Sequence, residues 1–101
     1  MDGTFKRGLK IGDTVHMDFE LREYSTADLF AAENEVPADK PIQFQAALVA
    51  RQLVRVGTYT GPFTLALITR LHPVDIGILR RAQGELEKLG EADSPADVPP
   101  T

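Results

Sequence analysis

The sequence contains no cysteine, which removes disulfides, thiolate metal centres and cysteine nucleophiles together. It also lacks a long apolar run. The most apolar stretch, Ile42 to Val56, is interrupted by Gln43, Gln45, Arg51, Gln52 and Arg55, so it does not read as a membrane span. The N-terminal MDGTFKRGLK has no apolar segment suited to a signal peptide. No phosphate-binding glycine loop is present, because Gly57 to Gly61 is not followed by Lys-Ser/Thr. A nucleophile elbow, paired carboxylates in an apolar setting and internal repeats are also missing. These absences point away from an enzyme and from any cofactor, and toward a soluble, cytoplasmic protein.

What is there fits one domain. A chain of 101 residues buries a modest core but not two. The net charge is −4, unevenly spread. Residues 1–40 carry five Lys/Arg against nine Asp/Glu, residues 41–84 five Arg against Asp75 alone, and residues 85–101 Lys88 against five acids. An arginine-bearing centre thus lies between acidic ends. Either the two signs neutralise each other across the fold, or part of the arginine surface receives an acidic partner.

The run from Thr14 to Glu33 organises the rest. Val15, Met17, Phe19 and Leu21 alternate with polar His16, Asp18, Glu20 and Arg22, a period of two that predicts a strand with one buried face. Ser25 and Asp28 form a variant of the capping box, and Leu29, Phe30 and Ala32 supply the apolar content of the helix that follows. Upstream, Thr4 to Ile11 predicts a first strand with Phe5, Leu9 and Ile11 on one side and Gly8 either weakening it or marking a bulge. Gly12-Asp13 turns between the two strands. A lone hairpin is marginal in water, so it must lie on helices or pair with another chain.

Downstream, Pro41 opens a helix expected to run to about Val56 and stop at Gly57. Its stripe is Ile42, Ala46, Val49, Ala50, Leu53 and Val56, widened by Phe44, Leu48 and Val54. Thr64 to Leu71 predicts a short helix. Pro73 starts the last one, with His72 at its cap, Asp75 in its first turn and Gly90 at its end. Gly77 and Gly84 leave a smooth strip two turns long, expected to pack on another helix of the chain. The fold class is therefore α+β: an N-terminal β-hairpin on about four helices over residues 1–90, with the acidic, Pro-rich residues 91–101 as a disordered tail.

Candidate chemistry is thin. His16, Asp18 and Glu20 share a strand face, but a metal would need further ligands from elsewhere. Ser25, His72 and Asp75 make a nucleophile, base and acid only on paper, and capping explains all three. For partner binding, Phe44, Leu48, Arg51 and Arg55 fall on adjacent faces of the expected second helix. Apolar groups there would cover a partner's stripe while the arginines pair with its acids. The alternative is that Phe44 and Leu48 complete the core. The acidic balance and the absence of aromatics among the arginines weigh against nucleic acid. Free hairpin edges and the broad apolar helix predict self-association to a dimer or larger.

Three segments carry a resemblance: FELREYSTADLFAAE (Phe19 to Glu33), ALVARQLVRVG (Ala47 to Gly57) and LITRLHPVDIGILRRAQGEL (Leu67 to Leu86). Together they resemble the small tail assembly chaperones of Mu-like, contractile-tailed phages and prophages, over about Leu9 to Gly90. LKIGD departs from that family's commoner proline-containing opening. The resemblance implies a non-enzymatic protein of the host cytoplasm that coats the helical tape measure protein and is absent from the mature virion. It assigns no individual functional residue. Two other functions fit the same residues: a structural tail or baseplate component, and a small nucleic-acid-binding regulator using the arginines.

Overall fold

The turn at Gly12-Asp13, with Gly12 at φ +62°, folds the first two strands against each other. The structure, a computed structural model, describes residues 1–37 and 39–92. Strands β1 (Asp2–Ile11) and β2 (Thr14–Leu21) precede helices α1 (Thr26–Glu35) and α2 (Pro41–Gln52). Strand β3 (Leu53–Val56), the one-turn helix α3 (Leu65–Ile68) and the long helix α4 (Pro73–Ala92) complete the order. The sheet runs β1-β2-β3 and is antiparallel throughout. The hairpin on four helices is the α+β architecture that the change of period predicts. The tail expected from Glu91 lies, beyond Ala92, outside the described residues.

The third strand corrects the reading of Pro41 to Val56 as one helix. The helix ends at Gln52, and Leu53 turns extended at φ −66°, ψ 124°. β3 then pairs with β2 through Phe19–Val56, Glu20–Arg55 and Leu21–Leu53, so Val54 is an extra, unpaired residue. Such a bulge lets two residues three apart face the same side of a strand. Leu53 and Val56 therefore both reach the core at a spacing that also suits a helix.

A larger irregularity sits in β1. Thr4 pairs with Asp18 but Leu9 with His16, an insertion of three residues. Directly paired residues lie on one face, and an odd shift exchanges the faces. Leu9, paired with His16, is buried. Val15, paired with Lys10, is 51% exposed, and Met17 is exposed with it. Only Phe19 and Leu21 of the expected buried row reach the core, where they meet Phe5, Leu9, Val49, Leu53, Val56 and Leu79.

Helix α1 rests mainly on α2, through Ala32, Val36, Ala47 and Leu48, with Leu65 of α3 at the border, and Phe30 is left on the outside. Its start is fixed as the capping box predicts: Ser25 Oγ accepts from the Asp28 N–H, and the Asp28 carboxylate accepts from the Ser25 N–H. Arg22 adds a two-pronged contact to the same carboxylate, at 2.7 and 3.1 Å. That guanidinium, above the opposing effect of burial, holds the Asp28 carboxyl far below the usual carboxylate range.

A depressed folded-state pKa gives stability that is complete above the unfolded value, about pH 4, and fades as pH falls through the folded one. Arg22 is half exposed, which limits the effect. Asp28→Asn should therefore cost about 1 kcal/mol at pH 7. In thermal melts the gap to the wild type should narrow as the pH drops below about 4. A gap that is constant from pH 7 down to strong acid would contradict this.

Candidate functional site

The expected partner-binding residues do not form one surface. Leu48 is 3% exposed inside the α1–α2 contact, and Phe44 packs half-buried at its border. Arg51 is exposed on α2, but Arg55 lies on β3 rather than on the same helix face. Arg55 is also already engaged, lying 2.8 Å from Asp18, 3.5 Å from Glu20 and 3.8 Å from Asp2 on the outer face of the sheet. Its hydrogen bond lowers the Asp18 pKa, and Asp18 in turn raises that of Arg55. The acids once weighed as metal ligands thus neutralise one arginine, while His16 lies against Gly57.

Ser25, His72 and Asp75 are likewise occupied separately. His72 Nδ1 accepts from the Val74 N–H at 3.1 Å at the head of α4. Asp75 is 0% exposed. The inserted residues of β1 turn their amides out of the ladder, Gly8 adopting φ +89°, and Asp75 collects them. It accepts from the N–H of Lys6 at 2.7 Å, Arg7 at 3.1 Å and Gly8 at 2.9 Å. Three successive amides around one carboxylate make an anion nest supplied from within the chain. Farther along α4, Gln83 donates to Gln52 at 2.7 Å, and Gln52 donates to the Arg22 carbonyl at 3.0 Å. These buried amides tie α4 to the ends of α2 and β2. Of these residues the sequence points to Asp75, as an acid in a first helical turn, and nothing there signals burial.

With α4 fixed in this way, a groove opens between α2, α3 and α4. Its walls are Ile42 and Ala46 from α2, Ile68 and Leu71 from α3 and the turn after it, and Ile76 and Gly77 from α4. It encloses about 610 Å³, and Ile42 at its lip stays 63% exposed. Ile42 is therefore a wall of this groove and not the core residue that its spacing predicts. A second hollow of about 400 Å³ shares Gly77 and Arg80 and continues past Arg81 and Gly84 to Glu87. Among the described residues, nothing beyond the neighbouring backbone of α4 itself lies within 4 Å of where a side chain would begin at Gly77 or Gly84. The glycine strip thus faces open space and does not pack on a helix of the same chain, contrary to the expectation.

Arg80 and Arg81 make no hydrogen bond or ion pair among the described residues, whereas Glu87 accepts from the Tyr24 hydroxyl at 2.9 Å. The combined groove has an apolar half and a cationic half. It can hold the apolar ridge of another polypeptide, with a place for that partner's acids.

Residues 5–96 match the family model described as tail assembly protein gp41. The chain belongs to this tail assembly protein family of Mu-like phages. No curated protein and no solved structure matches it. Among the described residues of this family member, no helix is long and apolar enough to cross a membrane. Nor do three or more His, Asp or Glu side chains gather there as a metal site would require. Its function lies in phage tail assembly.

Proposed function

We propose that this tail assembly protein is a non-enzymatic chaperone. It binds and shields helical segments of the tape measure protein in the host cytoplasm and leaves before the virion is complete. A long amphipathic helix exposes its apolar stripe until the tail forms around it, and a chaperone must cover that stripe reversibly. The observation that carries the reading is the open apolar groove with Arg80 at its end, without an ion pair among the described residues, in a member of a tail assembly family. Self-association belongs to the same proposal: Val15, Met17 and Val54 are exposed on the strands, beside backbone edges that can pair with another copy. Light scattering at high micromolar concentration should give a mass above the 11.1 kDa of one chain.

Co-expression tests the function. The tape measure protein of the same phage should remain soluble when made with this chain and aggregate without it. Purified particles should lack the chain. Retention in particles would favour a structural component. Retention on DNA that falls steeply with salt would favour a regulator.

A further inference from the structure

We propose that the groove between α2, α3 and α4 takes an amphipathic helix of the tape measure protein. That helix would lay an apolar ridge against Ile42, Ala46, Ile68 and Ile76 and set an acidic residue one or two turns farther on against Arg80 and Arg81. The inference rests on the chaperone reading and specifies where and how the client is held.

The occupant is a helix because of what lines the groove. Its walls are helices and the turn between two of them, whose backbone groups are largely bonded internally, and no strand edge borders it. A segment laid there finds no ladder to join, so its own amides and carbonyls must be satisfied within itself. The hollow follows α4 from Pro73 to Glu87, about 21 Å at the helical rise, which accommodates about four turns.

The acid follows from the charge map. Asp75 is the one acid among residues 41–84, and it is buried beneath β1. Arg80, at the junction of the two hollows, makes no ion pair among the described residues, Arg81 beside it has Glu85 one turn on, and Glu87 at the far end is held by Tyr24. Gly77 supplies close approach. A glycine there weakens α4 while no packing within the chain requires it. An incoming helix is what its missing side chain admits.

The test uses the full chain and two clients: the tape measure protein, and a synthetic peptide of about 18 residues with leucines at i, i+3, i+4 and i+7 and glutamates beyond them. Gly77→Trp fills the groove from a position with free space around it, and circular dichroism should show the fold intact. It should weaken peptide binding at least about tenfold, and Gly77→Ala should weaken it less, as the smaller intrusion. Arg80→Glu should weaken the glutamate peptide and strengthen its lysine counterpart.

Equal peptide binding by wild type and Gly77→Trp would overturn the groove assignment. So would a drop in the wild-type oligomeric mass on Gly77→Trp, which would make the groove a contact between copies. Loss of the peptide effect with tape measure binding intact sinks the groove and spares the chaperone reading. Peptide binding in the groove without any tape measure complex does the reverse: the helix and acid specificity stands, and the client assignment falls.

Discussion

Asp75→Ala should lower the unfolding free energy by about 3 to 5 kcal/mol, the largest effect expected of any single substitution outside the hydrophobic core. The carboxylate is fully buried and accepts three backbone N–H groups from Lys6, Arg7 and Gly8. Truncation leaves all three part-buried donors without their partner, at about 1 to 3 kcal/mol for each group that cannot relax or reach water. It also removes a favourable negative charge from the first turn of α4. Asp75→Asn should lose less, about 2 kcal/mol, because one carbonyl oxygen can still accept while the amide nitrogen turns a donor toward a donor. Urea titration with an unchanged slope would measure both. A loss below about 1 kcal/mol for the alanine variant would show that the bulge finds other partners.

Phe19→Asp is the second large effect, at about 3 kcal/mol or more. The Phe19 ring is 0% exposed and lies against Phe5, with ring centroids 4.8 Å apart. On the opposite strand Gly3 faces it, where any added side chain would collide with the ring. A carboxylate in that space would sit among the apolar side chains of the core, Phe5, Leu9 and Val56 included. Phe19→Ala should also destabilise, by about 3 kcal/mol, through the cavity alone. Thermal unfolding distinguishes them: both variants should melt well below the wild type, the aspartate lower. An unchanged melting temperature for Phe19→Asp would mean that the ring is not where the core is built.

The sequence was legible where interactions are local. The Ser25–Asp28 box, Pro41 and Pro73 at helix starts and the bulge at Gly8 each involve residues a few positions apart, and each is present. Insertions in strand ladders were not legible. The extra Val54 gives Leu53 and Val56 a helical spacing within a strand, and the three extra residues of β1 leave Val15 and Met17 outside. Periodicity alone cannot show which face an odd insertion selects. Asp75 was misleading for another reason. An acid in a first helical turn explains itself, so its long-range role beneath β1 leaves no local trace.

The candidate site divides in the same way. The four residues chosen from the sequence do not share one surface. Leu48 faces α1, Arg55 belongs to the sheet, and the open surface lies where α2 meets α3 and α4. A groove made by three elements distant in sequence has no motif. The unfilled strip at Gly77 and Gly84 was visible as a cost in helix propensity, and only the packed structure shows it empty.

The most direct test of the chaperone account is the species in which the tape measure protein leaves a size-exclusion column after being made together with this chain. The account predicts a soluble complex containing both proteins, stable enough to purify at moderate salt and lost when the chain carries Gly77→Trp. Tape measure protein found only in aggregates, with this chain eluting by itself, would contradict it.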